Sequence, residues 1–497
     1  MCVNTRKGGM KYYSRYRIHD LFELQESLSG LNKSNRWVKL ADRLPWARIE
    51  KEYNKRLRNS HCGAGNKPAR MVVGALIVKH VENLSDEKTI QENPYMQYLL
   101  GLSRFTEKPV FVPELFVLIR KRLDQDFFNM LTLMLAEADG SKPKKEGTDE
   151  DGNDHGGTMK CDATCCDAEV RYPTDANLLE DGSKLIDRLL DKFCTRHKLR
   201  KPQTHRMEAR RAFILLIKKK RKGKKLVSKT KLTQIRCLQA DFQIFLDFLG
   251  KQAVHLLSCF SRHDYKCLRA VLKMYEQQKM MFEQNVRSCA DRIISIYQPH
   301  LRPIVRGKAK AKVEFGAKIG ASIVNGYTYV NHLSWDAYNE SSDLALQTEL
   351  YRKRFGMLPR EVQVDKIYLG KANRQYLKDN NVECYNRPLG RPPKEDNDRH
   401  AEEKRRAICE RNEIEATFGT SKRVYRANDI RAKLENTADT WIEACFFAKN
   451  VMKFLRGLLC LIFAKTGFEA LKKRVVGTID DLVGVLPSPQ VGWGRIN

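Results

Sequence analysis

No stretch of this chain is apolar for the roughly 20 residues that a membrane-spanning helix needs. The longest late apolar run is only GLLCLIFA, Gly457 to Ala464. The opening residues, MCVNTRKGGMKYYSRYR, hold no apolar segment leading to a cleavage site, so no secretory signal is expected. The 14 cysteines include no CxxC pair and show no disulfide-like framework, which fits a reducing compartment. Cys161, Cys165 and Cys166, with Cys194 and His197 further on, are a weak candidate for structural zinc, because adjacent cysteines on a strand point in opposite directions. Negative charge is the other scarcity: 60 Asp and Glu stand against 91 Lys and Arg, a formal charge of +31. That balance fits a small-metabolite enzyme poorly and favours a polyanionic partner.

With 497 residues, 42% of them hydrophobic, the chain can bury at least one sizeable core and form several domains. Residues 1–20 read as a flexible tail. Leu21 to Ala138 reads as an all-helical unit. Its markers are a stripe through Trp46, Ile49 and Tyr53, the apolar helix MVVGALIVKHV, Ser85 as an N-cap, and a helix from Pro113 to Leu135. Its cations are expected on outer faces, as a helix-turn-helix-like DNA reader or as a bundle making dimer contacts. Residues 139–158 are rich in Gly and charge and nearly without apolar side chains, so a disordered linker is expected.

From residue 159 to about 471 the pattern changes. Met159 to Cys166 reads as a short strand, and Tyr172-Pro-Thr-Asp175 opens a helix that Asp175 is expected to cap. A large all-helical insert is expected over about 185–301, and strands return at Ala311 to Val330 around an Asn325-Gly326 hairpin turn. Next come a helix from Leu344 to Phe355, a short strand Glu361 to Asp365, a helix from Lys371 to Asp379, a long helix from about Arg399 to Thr420, and amphipathic helix over Ile430 to Leu471. Residues 472–497 read as a tail. Strands separated by helices argue for an α/β sheet with covered faces, in which carboxylates at strand ends share one crevice.

Asp162 and Asp365 are such carboxylates. A carboxylate on an apolar strand is costly unless paired, hydrogen-bonded or bound to a cation. Two strand-borne aspartates and one helical glutamate could hold two Mg²⁺ ions about 4 Å apart, one activating the attacking water or hydroxyl and the other stabilising the leaving oxygen. On the long helix, Arg411, Glu415 and Lys422 fall within a wedge of about 40°, with Ile408 and Ile414 off it and free to pack. An ordinary solvated Arg/Glu pair would look the same. In the insert, Lys218 to Lys231 (KKKRKGKKLVSKTK) holds nine cations and no anion. Lys218, Lys219, Lys220, Arg221, Lys222, Lys224 and Lys225 are candidates for sequence-independent phosphate contact.

The segments KCDAT (Lys160 to Thr164), YPTD (Tyr172 to Asp175), VDKIY (Val364 to Tyr368) and RNEIEATFGTSK (Arg411 to Lys422) resemble the catalytic core of bacterial insertion-sequence transposases of the DDE class. The family signature Y-x2-R-x3-E-x6-K is matched at Arg411, Glu415 and Lys422, with Ile408 in place of the tyrosine. RMVVGALIVKHVENLSDE and NPYMQYLLG resemble the family's helical N-terminal domain.

The resemblance implies a ribonuclease-H-like α/β core carrying the helical insert, preceded by an all-helical domain. It implies Asp162, Asp365 and Glu415 as catalytic and metal-binding acids, with Asp167 and Asp175 as alternatives. Arg411, Lys422 and Lys366 are then the supporting and phosphate-contacting cations. Separately, the two prolines of the loop GRPPK make a stiff strap from which Arg391 could contact DNA, with a plain rigid connector as the alternative. The implied cofactor is Mg²⁺ or Mn²⁺, as two ions. The implied partners are double-stranded DNA, element ends and target, and a second copy in the DNA complex. The implied place is the bacterial cytoplasm, on the nucleoid. The implied activity is cleavage at terminal inverted repeats and strand transfer. A non-catalytic DNA-binding relic and a metal-dependent structure-specific nuclease are the alternatives.

Overall fold

The computed structural model describes residues 31–57, 66–90, 93–102, 105–251, 258–305, 313–386 and 401–458. Its first part is helical: α1 (Arg36–Arg43), α2 (Trp46–Asn54), α3 (Ala69–Glu82), α4 (Pro94–Leu99), α5 (Leu115–Arg122) and α6 (Gln125–Ala138). Asn35 caps α1 by accepting from the Trp37 N–H. The helix expected from Pro113 to Leu135 is broken, because Asp124 caps a new helix by accepting from the Phe127 N–H. Ser85 starts only a 3₁₀ turn at Lys88–Ile90, not a full helix.

Of the cations expected on outer faces, Arg36, Arg43, Arg48, Lys51, Lys55 and Lys121 are exposed, but four others are not. Arg70, Lys79 and His80 are buried because α3 is enclosed by its neighbours instead of lying on the surface, and Arg120 of α5 is buried as well. Burial is offset by pairing: Asp86 takes Lys79 at 2.8 Å and Arg120 at 2.5 Å.

The expected disordered linker is ordered. It forms a small hairpin, β1 (Gly147–Thr148) with β2 (Asp154–His155). Tertiary contacts supply what its composition lacks. His155 Nε2 meets Asp149 at 2.9 Å, Tyr351 donates to the Gly156 carbonyl at 2.6 Å, and Tyr327 bonds Asp139. A side chain at Gly156 would meet the Lys144 carbonyl oxygen at 2.1 Å, so the close approach requires glycine.

The central sheet contains β3 (Thr158–Asp167), β4 (Arg302–Val305), β5 (Val313–Val324), β6 (Tyr327–Ser334) and β7 (Glu361–Gln363). Strand β5 lies between β3 on one side and β4 and β6 on the other, all antiparallel, while β7 adds to the free side of β3 in parallel. Asn325 and Gly326 link β5 to β6 with φ of 49° and 79°, the two positive angles that a tight hairpin turn demands and that this pair tolerates.

Between β3 and β4 lie α7 (Asp175–His197), α8 (Arg206–Lys218), α9 (Lys224–Gly250) and α10 (Arg262–Glu283). The helix expected to open at Tyr172-Pro-Thr-Asp175 is α7 and already belongs to the insert, whose start was expected at about 185; the insert has its own core around Leu179, Leu190, Phe193, Leu238 and Val271. Thr174 caps α7, accepting from the Asn177 N–H. Asp175 is not the cap; it pairs with Lys231 and Arg292.

After the sheet come α11 (Asp343–Phe355), α12 (Lys371–Asp379), α13 (Ala401–Arg423) and α14, residues 435–458. Helix α14 is not amphipathic as expected: every residue from 441 to 448 is buried. Phe447, Val451 and Phe454 pack with the N-terminal helices, whereas Ile442, Cys445 and Phe446 pack with Ile319 and Ala321 of the sheet. The same N-terminal cluster takes in Met159, Cys161 and Tyr329 from the sheet's other side. The N-terminal helices, the sheet and α14 therefore share core packing.

Candidate active site

Asp162 sits in the middle of β3, paired with Ala321 of β5. The parallel register that sets Thr158 opposite Glu361 carries Asp365, just beyond β7, to the level of Asp162. Adjacent strands are about 4.8 Å apart, so the two carboxylates are neighbours despite their separation in the chain. Helix α13 lies over the face of β3 that bears Lys160 and Asp162. Its apolar seam is Ala407, Ile414 and Phe418. Ile408, expected to pack, is 52% exposed.

Three polar ties set the rotation of α13. Arg406 bonds the buried Glu361, Glu410 accepts from Gln363, and Glu413 accepts from Lys160, each at 2.7 Å. With these held, Arg411 reaches toward β3. Its guanidinium donates to Glu415 at 3.1 Å and lies 3.9 Å from Asp162. Glu415 itself is exposed. Asp162, Asp365, Arg411 and Glu415 are thus brought to one place.

Asp162 is the unusual member. Burial pushes its carboxyl up to about 6, and the charges of Glu340 and Asp365 add to the rise, while the Ala163 N–H and Arg411 oppose it. One backbone N–H and a cation at 3.9 Å do not satisfy a buried carboxylate. Oxygen donors of this kind suit a hard divalent cation. Because the folded-state value lies above the ordinary 3.8, charging Asp162 costs stability as pH rises through the window from about 4 to 6. A bound cation reverses that cost. Mn²⁺ affinity of the protein, followed by calorimetry or thermal shift, is expected to fall steeply as pH drops below about 6. Affinity that is flat from pH 5 to pH 8 would contradict Asp162 as a ligand.

Other predicted residues are placed differently. Lys422 is two turns further along α13, about 10 Å from Glu415 by helix rise. Its charge acts on Cys166 and Asp167 at the far end of β3. Lys366 is exposed beside Asp365, with its N–H donating to that carboxylate at 2.7 Å. Arg391 lies outside the described residues. Asp167 serves the fold, accepting from the Phe315 N–H and the Asn428 amide. In the cationic run, Lys218 to Lys225 are exposed wherever a cation occurs, but Lys231 is tied to Asp175.

Sequence reasoning missed Tyr368, Glu340 and Lys160. Tyr368 is buried in a 3₁₀ turn with no partner for its hydroxyl among the described residues, and burial and the charge of Asp162 push that hydroxyl upward. Its signal was its place three residues after Asp365; Glu340 offered none.

Among the described residues, the side-chain group that meets simple metal-site spacing is elsewhere: Cys165, Asp167 and Glu314. Burial pushes the Cys165 thiol well up, so it stays protonated, and a thiol is a poor ligand for a hard cation. The cysteine and histidine group weighed for zinc does not assemble among the described residues.

Comparison with known proteins finds transposase domains at two places in the chain. Residues 362–452, which carry Asp365, α13 and most of α14, match the family model described as a transposase DDE domain. Residues 25–122 match the transposase domain DUF772. An uncharacterized protein, ORF8 in the nfe locus of Rhizobium meliloti, is 25% identical over 189 residues, which are 37% of this chain and 84% of that protein. No solved structure matches. A DDE domain implies dependence on a divalent metal and a nucleic-acid phosphoryl-transfer role at the level of the family. Two transposase domain models, one over the helical start of the chain and one over the segment that carries Asp365 and Glu415, make the chain similar to the insertion-sequence DDE transposases.

Proposed function

We propose that this chain is an active DNA transposase with a ribonuclease-H-like core. In this reading β3, β5 and β6 are the antiparallel strands, β7 is the parallel strand that follows, and α7 to α10 are an insert after the first strand. The observation that carries the reading is the convergence of Asp162 and Asp365 at one level of adjacent parallel strands, with Glu415 linked across them through Arg411.

Asp162, Asp365 and Glu415 would hold Mg²⁺ or Mn²⁺, as two ions. Bound there, the metal would activate a water or 3′ hydroxyl and stabilise the departing oxygen of the scissile phosphodiester. The residues do the positioning. Arg411 holds Glu415 toward β3 and balances Asp162, and the ties from Arg406, Glu410 and Glu413 keep α13 from rotating. Lys366 stands beside Asp365, where a phosphate would arrive. Lys422 would meet the strand further along β3, and Arg391 belongs to the same set of proposed phosphate contacts. Two copies would hold two element ends, and the bacterial cytoplasm, on the nucleoid, is the proposed place of action. No helix among the described residues is long and apolar enough to cross a membrane.

The test is incubation of purified protein and Mg²⁺ with labelled duplexes carrying the terminal repeats of the element. Nicking at the repeat ends that exposes a 3′ hydroxyl supports the reading. Equal cleavage of generic branched DNA would indicate a nuclease instead, and binding without cleavage would indicate a relic.

The exposed cations between Lys218 and Lys225 should add affinity without sequence preference, because flexible lysines neutralise phosphates and do not read base edges. Replacing Lys218, Lys219, Lys220 and Lys225 with Ala is expected to weaken specific and random duplexes alike. The log–log salt dependence should flatten by up to about four units. Unchanged affinity across salt concentrations would show that the run is solvated surface.

A further inference from the structure

A groove of about 770 Å³ opens where the insert meets the sheet, between α7, α9, the end of α10 and the start of β5. Its floor is apolar and aromatic. Tyr172 meets Phe315 edge to face, ring centres 5.5 Å apart, and Tyr172 is 68% exposed. Around the floor stand Lys222, Lys224, Arg287 and Arg292. Arg292 and Lys231 are engaged with Asp175, the one acid among the described residues that line the groove. The Nε of Arg292 is buried without a hydrogen-bond partner.

Phe315 is on the same sheet face as Asp162, since Phe315, Ala317, Ile319 and Ala321 alternate along β5 and Ala321 pairs with Asp162. Asp167, whose carboxylate accepts from the Phe315 N–H, is five residues beyond Asp162, roughly 17 Å along the strand. Lys422 acts electrostatically on Asp167 in that interval.

We infer that this groove binds unpaired nucleotides of a DNA strand leaving the active site, with bases on Tyr172 and phosphates on Lys222, Lys224 and Arg287. This rests on the reading of the chain as an enzyme that acts on DNA ends. The volume is in the range of small-molecule sites and is too small to enclose a duplex. An aromatic floor with a cationic rim is the arrangement that binds single strands, where stacking is sequence-tolerant and the backbone is held by charge. A purely phosphate-binding surface would have no use for an exposed tyrosine set on a phenylalanine.

The test uses the full chain and fluorescent duplexes that are blunt or carry a short thymidine tail on either strand. The parent is expected to prefer a tailed duplex. Tyr172→Ala should weaken tailed binding roughly 5- to 150-fold and leave blunt binding unchanged, while Tyr172→Phe retains the preference. Arg287→Ala should reduce tailed affinity with a flatter salt dependence. A 5-iodouracil in the tail should crosslink to Tyr172. The inference is overturned if the tail adds nothing in the parent, if Tyr172→Ala leaves tailed binding intact, or if it weakens both duplexes equally, which would mark a duplex-binding surface. In those cases binding and cleavage of the blunt end still uphold the transposase reading; failure to bind either DNA would overturn both.

Discussion

A Glu415→Ala chain is expected to bind element ends within about twofold of the parent and to cleave them at least ~10³-fold more slowly. The carboxylate is exposed, and its only polar contact among the described residues is Arg411, so its loss removes little packing. It would, however, remove a ligand from the proposed metal site. Metal stabilisation of transition-state charge is worth several kcal/mol, and each ~1.4 kcal/mol is tenfold in rate. Asp162→Asn should be as inactive for the same reason. Its metal-free form should be at least as stable as the parent at pH 7, because a buried charge is removed, and Mn²⁺ should no longer raise its melting temperature. Cleavage near the parental rate by Glu415→Ala would overturn the assignment of the acids.

Phe446→Ala is expected to destabilise the whole protein core by about 3–5 kcal/mol, the range for removing a buried aromatic side chain. Phe446 is 1% exposed and stacks edge to face with Phe418 of the proposed catalytic helix. The N-terminal helices should unfold in the same transition, because α14 packs against them as well. Polar contacts add to that packing: Asn450 bonds Thr132 and the Thr328 carbonyl, and Thr440 bonds the carbonyls of Arg120 and Leu123. Urea unfolding followed by far-ultraviolet circular dichroism and by tryptophan fluorescence should give coincident curves shifted together by the substitution. Two separated transitions, with only the later one moved by Phe446→Ala, would show that the N-terminal helices fold independently of the sheet.

The sequence by itself determined what depends on neighbours along the chain. The Asn-Gly turn was legible because only a few residue types adopt its two positive φ angles. The strand carrying Asp162 and the helices from Asp343 and Lys371 were legible from period and composition. The segment that carries Asp365 and Glu415 was legible as transposase-like, and the DDE family model matches it; the excess of positive charge was legible as suited to a polyanion.

Tertiary structure alone decided what depends on residues far apart in the chain. Residues 139–158 have the composition of a linker, yet contacts from Tyr327 and Tyr351 order them. Helix α14 has enough polar residues to resemble an amphipathic helix, but residues 441 to 448 are all buried, and Thr440 and Asn450 find buried partners. Lys79 and Arg120 of the N-terminal helices looked solvated in the sequence, but they are buried with Asp86 between them. The level at which Asp365 meets Asp162 follows from a strand pairing across the whole insert, and the raised carboxyl of Asp162 follows from how deeply that pairing buries it. Burial and partnership are properties of the packed chain: the free energy of a charge depends on what surrounds it in space, and local sequence does not specify that.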